Sequence, residues 1–519
     1  MCLAAAQLRS VDVFILLAYM VGMVGMGLWL TRKSRTVEAY TVAARSLPGW
    51  LVGVSIVGTY VSSISFLALP GKAYGGNWNA FVLSLSLPIA AFVAVRWFLP
   101  LYRRAGLISA YQYLEERLGG WARVYACLSF VLLQLGRVGA ILYLVGLVLT
   151  RMTGLDIVTI ILITGLVTIV YTALGGIEAV IWTDVVQVFI FFGGTLAAVF
   201  ILLVDAPSGV GHLFASAWQN GKFSLGTWDL SMAAPTVWVV LVYGILENLK
   251  NFGIDQNYVQ RYNTTRTDHE ARRSVWLGAL AYIPLSALFF FIGTGLWVYY
   301  QGNPGELTAE LTQKANADRV FPHFILTKMP VGVTGLVLAA LLAAAMSTVS
   351  SSLNAAATVC LEDIYKKYVR SGASDRHCLW VLRSLTVWWG ILGTGAGILF
   401  LMLMKVYTNA LDLWWTVAGI CGAGMIGPFL LGAFLRRVSN TGAIIGVIAS
   451  VGVVVWATLA RNLPDAYAWM ECRLHTFLIG VAGVIVLMIV GWVASFIWPP
   501  PADRPPPLTV WSHRRRSSA

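Results

Sequence analysis

The sequence predicts an all-α polytopic membrane protein, and three observations carry that expectation. Hydrophobic residues make up 58% of the 519 positions and charged residues only 11%. Apolar runs of bilayer-crossing length recur along the whole chain, and Lys and Arg gather on alternate loops between them. A soluble domain carries about 25% charged residues, a load that lipid-facing helices cannot bear. The mean hydropathy of +0.76 points the same way. This composition excludes an ordinary soluble enzyme, a disordered chain and a coiled coil. Cys2, Cys127, Cys360, Cys378, Cys421 and Cys472 form no CxxC pair, so neither a disulfide framework nor a zinc site is indicated. The net charge of +13 raises nucleic acid as a partner; the placement of the charges points to membrane topology instead.

A spanning helix needs about 20 apolar residues. Runs that meet this length lie near 11–31, 49–69, 78–102, 121–150, 155–174, 180–204, 233–255, 274–300, 330–357, 380–404, 409–435, 442–460 and 475–498. That gives about thirteen spans. The first is too long, from Val13 to Leu30, and lacks the basic start of a cleavable signal. With the N-terminus outside, twenty-four of the 36 Lys and Arg fall on the inner side and ten outside, leaving Arg137 and Lys250 within spans. The positive-inside rule then sets the N-terminus outside and the C-terminus in the cytoplasm of a plasma or inner membrane. Outer loops are expected at 205–232 and 301–329. The tail is Pro-rich and extended. The Asn263–Thr–Thr sequon falls on the inner side, where it is silent.

Polar residues interrupt the apolar pattern at a few places, and polar groups in hydrocarbon face a cavity or a partner. In the second span Gly53, Gly58, Thr59, Ser62, Ser63 and Ser65 weaken the helix. Either it unwinds and bares carbonyl oxygens around a cavity, or small residues let helices pack closely. In the ninth span Ser347, Ser350, Ser351 and Asn354 fall at i, i+3, i+4 and i+7, on one stripe, with Thr348 beside it. Hydroxyls and carbonyls without a carboxylate suit a weakly held hard cation such as Na⁺; the alternative is back-bonding to their own helix. Asp184 in the sixth span, near Thr183 and Gln187, is either functional or interfacial. Arg137 lies deep in the fourth span and needs an anion: a protein carboxylate such as Asp184, or a solute carboxylate held by its planar fork. Glu247 and Lys250 are spaced for a local ion pair. Asp412, Trp414 and Trp415 are gate residues or part of an aromatic belt. "GTGAG" at 393–397 lies inside an apolar span, and no Walker motif, nucleophile elbow or HExxH is present, so enzymatic chemistry is not expected.

These residues sit in stretches that resemble the sodium:solute symporter family over roughly 10–435. The stretches are "AAAMSTVSSSLNAAATVCLEDIYKKY", "YTALGGIEAVIWTDVVQ", "LISAYQYLEERLG" and "DQNYVQRY". The resemblance implies a leucine-transporter-like fold, with two inverted five-helix repeats and extra flanking helices. It divides the chain into an extra helix and inner loop (1–48), a first repeat (49–204), an outer loop (205–232), a second repeat (233–435), two C-terminal helices (436–498) and the tail (499–519). It implies a sodium site from the backbone oxygens of Gly58, Val61 and Ala344 and the hydroxyls of Ser347 and Thr348. A second sodium site would use Ser347, Asp184, Ser350 and Ser351. Tyr60 stands where the proline symporters carry an Asp, which argues against proline. Arg137 looks like the residue that meets the substrate carboxylate in sialic acid symporters, with Ser62, Ser65 and Phe81 as further contacts. The function implied is sodium-coupled import of a small polar solute, such as a carboxylated sugar, by a chain acting singly in the bilayer. Neutral sugar or monocarboxylate symport, or uncoupled flux, are the alternatives.

Overall fold

In the computed structural model the described residues are 9–104, 106–404, 410–461, 469–500 and 509–511. Within them, the side chains at 33, 104, 314, 315, 410–417, 419–421 and 423 are not described. Asp412, Trp414 and Trp415 therefore fall outside the described side chains. Nine helices among the described residues are long and apolar enough to cross a membrane, or eleven with the two bent pairs. One of the nine, Ile157–Val204, has 48 residues. At 1.5 Å per residue that is about twice a bilayer core, and it breaks at Gly176, whose φ of 61° and ψ of −161° no side-chain-bearing residue holds without strain. With the helix Ala410–Phe434, each span expected from the sequence has a counterpart.

We number them in chain order. α1 is Ser10–Leu30, and α2 is the bent pair Gly49–Tyr60 and Ser63–Gly75. α3 is Phe81–Arg103 and α4 is Gly120–Thr153. α5 and α6 are 157–175 and 177–204. α7 is the bent pair Val237–Gly253 and Gln256–Asn263, and α8 is Asp268–Gly302. α9 is Val333–Val359, α10 is Asp375–Leu403 and α11 is Ala410–Phe434. α12 and α13 are Asn440–Leu459 and Thr476–Ile497.

Each expected set of five helices opens with a broken one: α2 bends by 60° and α7 by 47°. The α2 break is two residues long. Val61 (φ −73°, ψ 132°) and Ser62 (φ −132°, ψ 168°) are extended, and the Ser62 hydroxyl caps the restart by accepting from Ser65 N. In α7, Asp255 caps the second half by accepting from Asn257 N. That second half corrects the sequence reading. Its eight residues are all buried, although they are too polar to extend an apolar span. Arg261, counted among inner-loop charges, is inside the protein. Asn263 is fully buried, which closes the sequon to any modifying enzyme.

α9 is the most enclosed of the apolar spans described, with 89% of its window buried against 28% for α1. Its hydroxyl stripe therefore faces protein, not lipid. Its N-terminal end is held by a flanking helix: Asp12 of α1 is buried, and its Oδ1 accepts from Gly332 N and Gly335 N, both at 2.8 Å. These are orphan donors of the first α9 turn, and a carboxylate there also meets the positive end of the helix dipole. Beyond its C-terminal end, Arg123 of α4 bonds Asp363 Oδ1 and Glu115, each at 2.6 Å, while Ser109 donates to Asp363 Oδ2 at 2.5 Å. Burial pushes the Glu115 carboxyl up, but Lys367 and Arg123 more than reverse this and leave it below its usual range. The two motifs "LISAYQYLEERLG" and "LEDIYKKY" thus meet in one charge network.

Asp12→Ala is expected to cost about 1.5–3 kcal/mol, the range for hydrogen bonds to a charged group. A lowered thermal unfolding midpoint of the purified protein checks this.

Candidate functional site

A helix ending in mid-protein leaves carbonyls without an intrahelical partner. The first half of α2 stops at Tyr60, and Val61 N still donates to Val57 O at 2.9 Å. The carbonyls that follow must find partners elsewhere. Gly58 O lies 3.0 Å from Ser347 Oγ, Thr59 O lies 3.2 Å from Arg137 Nη2, and Val61 O lies 3.0 Å from Thr348 Oγ1. Both hydroxyls also reach Ala344 O, at 3.2 and 3.1 Å. The two readings of the α9 stripe therefore coexist: the hydroxyls back-bond to their own helix and also cross to α2. The structure brings together all five expected oxygen donors, Gly58, Val61, Ala344, Ser347 and Thr348. These are two neutral hydroxyls and three carbonyls, a set suited to an alkali cation that must also leave. Gly58 permits the approach, since a Cβ there would sit 3.0 Å from a Val188 methyl of α6.

One helical turn further in, Asp184 and Arg261 form a buried ion pair at 2.8 Å, with side-chain exposures of 0% and 1%. Ser55 donates to the same Oδ2 at 2.5 Å, and Arg261 donates to Ser351 Oγ at 2.5 Å and to Asn257 O at 2.7 Å. Asp184 is therefore partnered by Arg261 and not by Arg137, which corrects one of the two sequence expectations. Asp184 Oδ1 is buried with no hydrogen-bond partner. Ser350 and Ser351 both donate to Ser347 O, at 3.0 and 2.6 Å. The sequence reading missed Arg261 at this site. The signal was "DQNYVQRY", a polar helix too short and too rich in amides to be an ordinary inner loop.

Beside the α2 break lies a cavity of about 250 Å³ lined by Tyr60, Ser62, Ser65 and Arg137 among others. Arg137 is half-buried and donates to Thr59 O; among the described residues it forms no ion pair with a carboxylate within 4 Å, the buried Asp255 of the same cavity lining lying farther off. The Tyr60 hydroxyl donates to Asn248 of α7, and its ring packs 4.3 Å from that of Tyr282. Phe81 does not reach this cavity. Its ring packs against Trp78 and Phe290, at 5.5 and 5.6 Å, because it sits on the face of α3 turned toward α8. The ion pair that the spacing of Glu247 and Lys250 suggested forms at 2.5 Å, and both residues line the cavity, a placement the spacing alone did not give.

With this geometry in hand, comparison with known proteins is specific. The profile of the sodium:solute symporter family matches residues 40–450. Over 488 residues the chain is 33% identical to the sodium/sialic acid symporter SiaT of Proteus mirabilis (strain HI4320), across 94% of this chain and 95% of that protein. It is 26% identical over 447 residues to the sodium-coupled monocarboxylate transporter 1 of Homo sapiens, across 85% and 71%. A solved structure of a substrate-bound, outward-open Na⁺-coupled sialic acid symporter, described as revealing a novel Na⁺ site, superimposes with a TM-score of 0.86. It is 32% identical and is matched over 95% of this chain and 99% of that one. The nucleobase-cation-symport-1 family transporter Mhp1, in a closed conformation, superimposes with a TM-score of 0.53 at 16% identity, over 90% and 95%, and shares the fold alone.

The buried pair gives a test that needs no solute. Arg261→Met strands the Asp184 charge and is expected to cost about 3–5 kcal/mol, whereas Asp184→Asn with Arg261→Met should cost less. Thermal unfolding of the three proteins reads the difference.

Proposed function

The chain belongs to the sodium:solute symporter family, and from that premise we propose that it imports a carboxylated sugar of the sialic acid class together with sodium. The observation that carries the substrate class is Arg137. A guanidinium deep in a spanning helix that donates to the Thr59 carbonyl and forms no ion pair within 4 Å among the described residues has a place for a bidentate anion. A cavity of about 250 Å³ around it has room for more than a short monocarboxylate. The human monocarboxylate transporter among the relatives keeps that smaller solute class as the second reading.

Sodium sits among Gly58, Val61, Ala344, Ser347 and Thr348. A second sodium takes Asp184, Ser350 and Ser351; the support is the partnerless Asp184 Oδ1. The N-terminus lies outside and the C-terminus inside, as the positive charge distribution favours. One copy of the chain is the transporting unit.

The coupling follows from three neighbouring carbonyls of one broken helix. Gly58 and Val61 face the ion, and Thr59 between them holds Arg137. An ion that pulls the flanking carbonyls toward α9 fixes the orientation of the third, and with it the guanidinium. The differential affinity of the two conformations for ion and solute then drives alternating access. One charge crossing ~100 mV releases about 2.3 kcal/mol, and a tenfold sodium gradient adds about 1.4 kcal/mol. One ion therefore sustains solute accumulation on the order of a few hundredfold.

Ser347→Ala and Thr348→Ala are each expected to raise the sodium concentration for half-maximal uptake, on the order of tenfold for one lost ligand. Sodium titrations of uptake by proteoliposomes check this; unchanged titrations in both variants count against the site. Arg137→Ala should abolish uptake of N-acetylneuraminic acid in a protein that remains folded in the bilayer. Normal uptake by that variant removes the anchor.

A further inference from the structure

The solute cavity shares one wall with a smaller cavity of about 60 Å³, and the shared residues are Tyr243, Glu247, Lys250 and Phe477. That wall joins α7 to α13, a helix outside the five-plus-five core. The Tyr243 and Phe477 rings stack nearly parallel, 4.6 Å apart at 10°. His475 packs edge-on against Phe477 at 4.7 Å, and its backbone N–H donates to Met232 O at 2.8 Å. The start of α13 is thus pinned to the segment that leads into α7.

Under this aromatic wall, Lys250 Nζ lies 2.5 Å from Glu247 Oε1. The Lys250 side chain is 6% exposed and that of Glu247 30%. Across from them α11 presents Gly422, where a Cβ would stand in ordinary van der Waals contact with Lys250, 3.6 Å from the ammonium. As a purely structural feature the pair is poorly placed. A buried ion pair is often replaced by apolar residues at no cost to stability. As a recognition element it is well placed. The ammonium has three donors and the carboxylate two oxygens, and the pair consumes only one of each. What remains both donates and accepts, as a hydroxyl pair or an amide does. The pair is neutral overall, so it does not compete with Arg137 for a carboxylate.

We propose that Glu247 and Lys250, walled by Tyr243 and Phe477, form a second subsite. It binds the neutral hydrogen-bonding arm, hydroxyl or amide, of a solute whose carboxylate lies on Arg137. The small cavity beyond takes an apolar tip of about methyl size. This rests on the solute site proposed above and narrows it: the carboxylate alone is not enough, and the arm sets the preference.

The test uses the full chain in proteoliposomes. Inhibition of uptake by N-acetylneuraminic acid, which carries hydroxyl and amide arms, is compared with inhibition by pyruvate, which carries none. Wild type should favour the armed solute. E247Q/K250M should weaken its apparent affinity on the order of tenfold and leave that of pyruvate unchanged. The exchange variant E247K/K250E keeps an ion pair, so a wild-type thermal midpoint with a shifted solute ratio supports recognition. A ratio unchanged in both variants overturns the subsite. So does an equal loss for both solutes with a lowered midpoint, the mark of a structural pair. Wild-type preference for pyruvate overturns the subsite but leaves carboxylate transport standing. A wild-type protein that accepts neither solute overturns the carboxylate site itself, and the subsite with it.

Discussion

Backbone carbonyls bared at the α2 break are the constraint on which this structure depends. A carbonyl in hydrocarbon without a partner costs several kcal/mol, so a helix can stop at the midplane only if something else satisfies it. Here the partners are side chains from two other helices. Ser347 and Thr348 of α9 take Gly58 and Val61, and Arg137 of α4 takes Thr59. The same oxygens form the candidate ion and solute sites. Stability and transport therefore draw on one set of atoms, and moving α2 relative to α9 rearranges both.

The parts outside the core serve that arrangement. α1 closes the back of α9: Tyr19 bonds the Met346 sulfur, and Gln187 donates to the Tyr19 hydroxyl at 3.0 Å. Tyr171 donates to Met346 O at 3.1 Å. With Asp12 at its N-terminal end and Arg123 beyond its C-terminal end, α9 is anchored along its length. An α9 anchored in this way gives the broken α2 a fixed surface to pack against. α13 reaches the other side of the solute cavity through Phe477.

Much of the fold was legible in the sequence because the bilayer demands long apolar runs, and these are visible without homology. The hydroxyl stripe of α9 was legible for a related reason. Ser347, Ser350, Ser351 and Asn354 repeat at helical spacing inside a run flanked by alanines at 343–345 and 355–357, so the helix period alone puts them on one face. Arg261 was not legible. Its helix is polar throughout, and only the tertiary fold encloses it, so hydropathy assigned it to a loop. Asp12 was hidden because capping across helices leaves no spacing signal. Phe81 was assigned by resemblance alone, and its ring turned toward Phe290, which no local pattern foretells. Lys250 was legible as one half of an i,i+3 pair, but the cavities on either side exist only in three dimensions.

Linkage between the two ligands tests the central claim most directly. If ion and solute share the carbonyls of one broken helix, each must raise the affinity of the other by the same factor. Calorimetric titration of the purified protein with N-acetylneuraminic acid, in sodium and then in choline at equal ionic strength, measures that factor. The expected result is strong binding in sodium and at least tenfold weaker binding in choline. Equal affinity in the two salts would contradict the account.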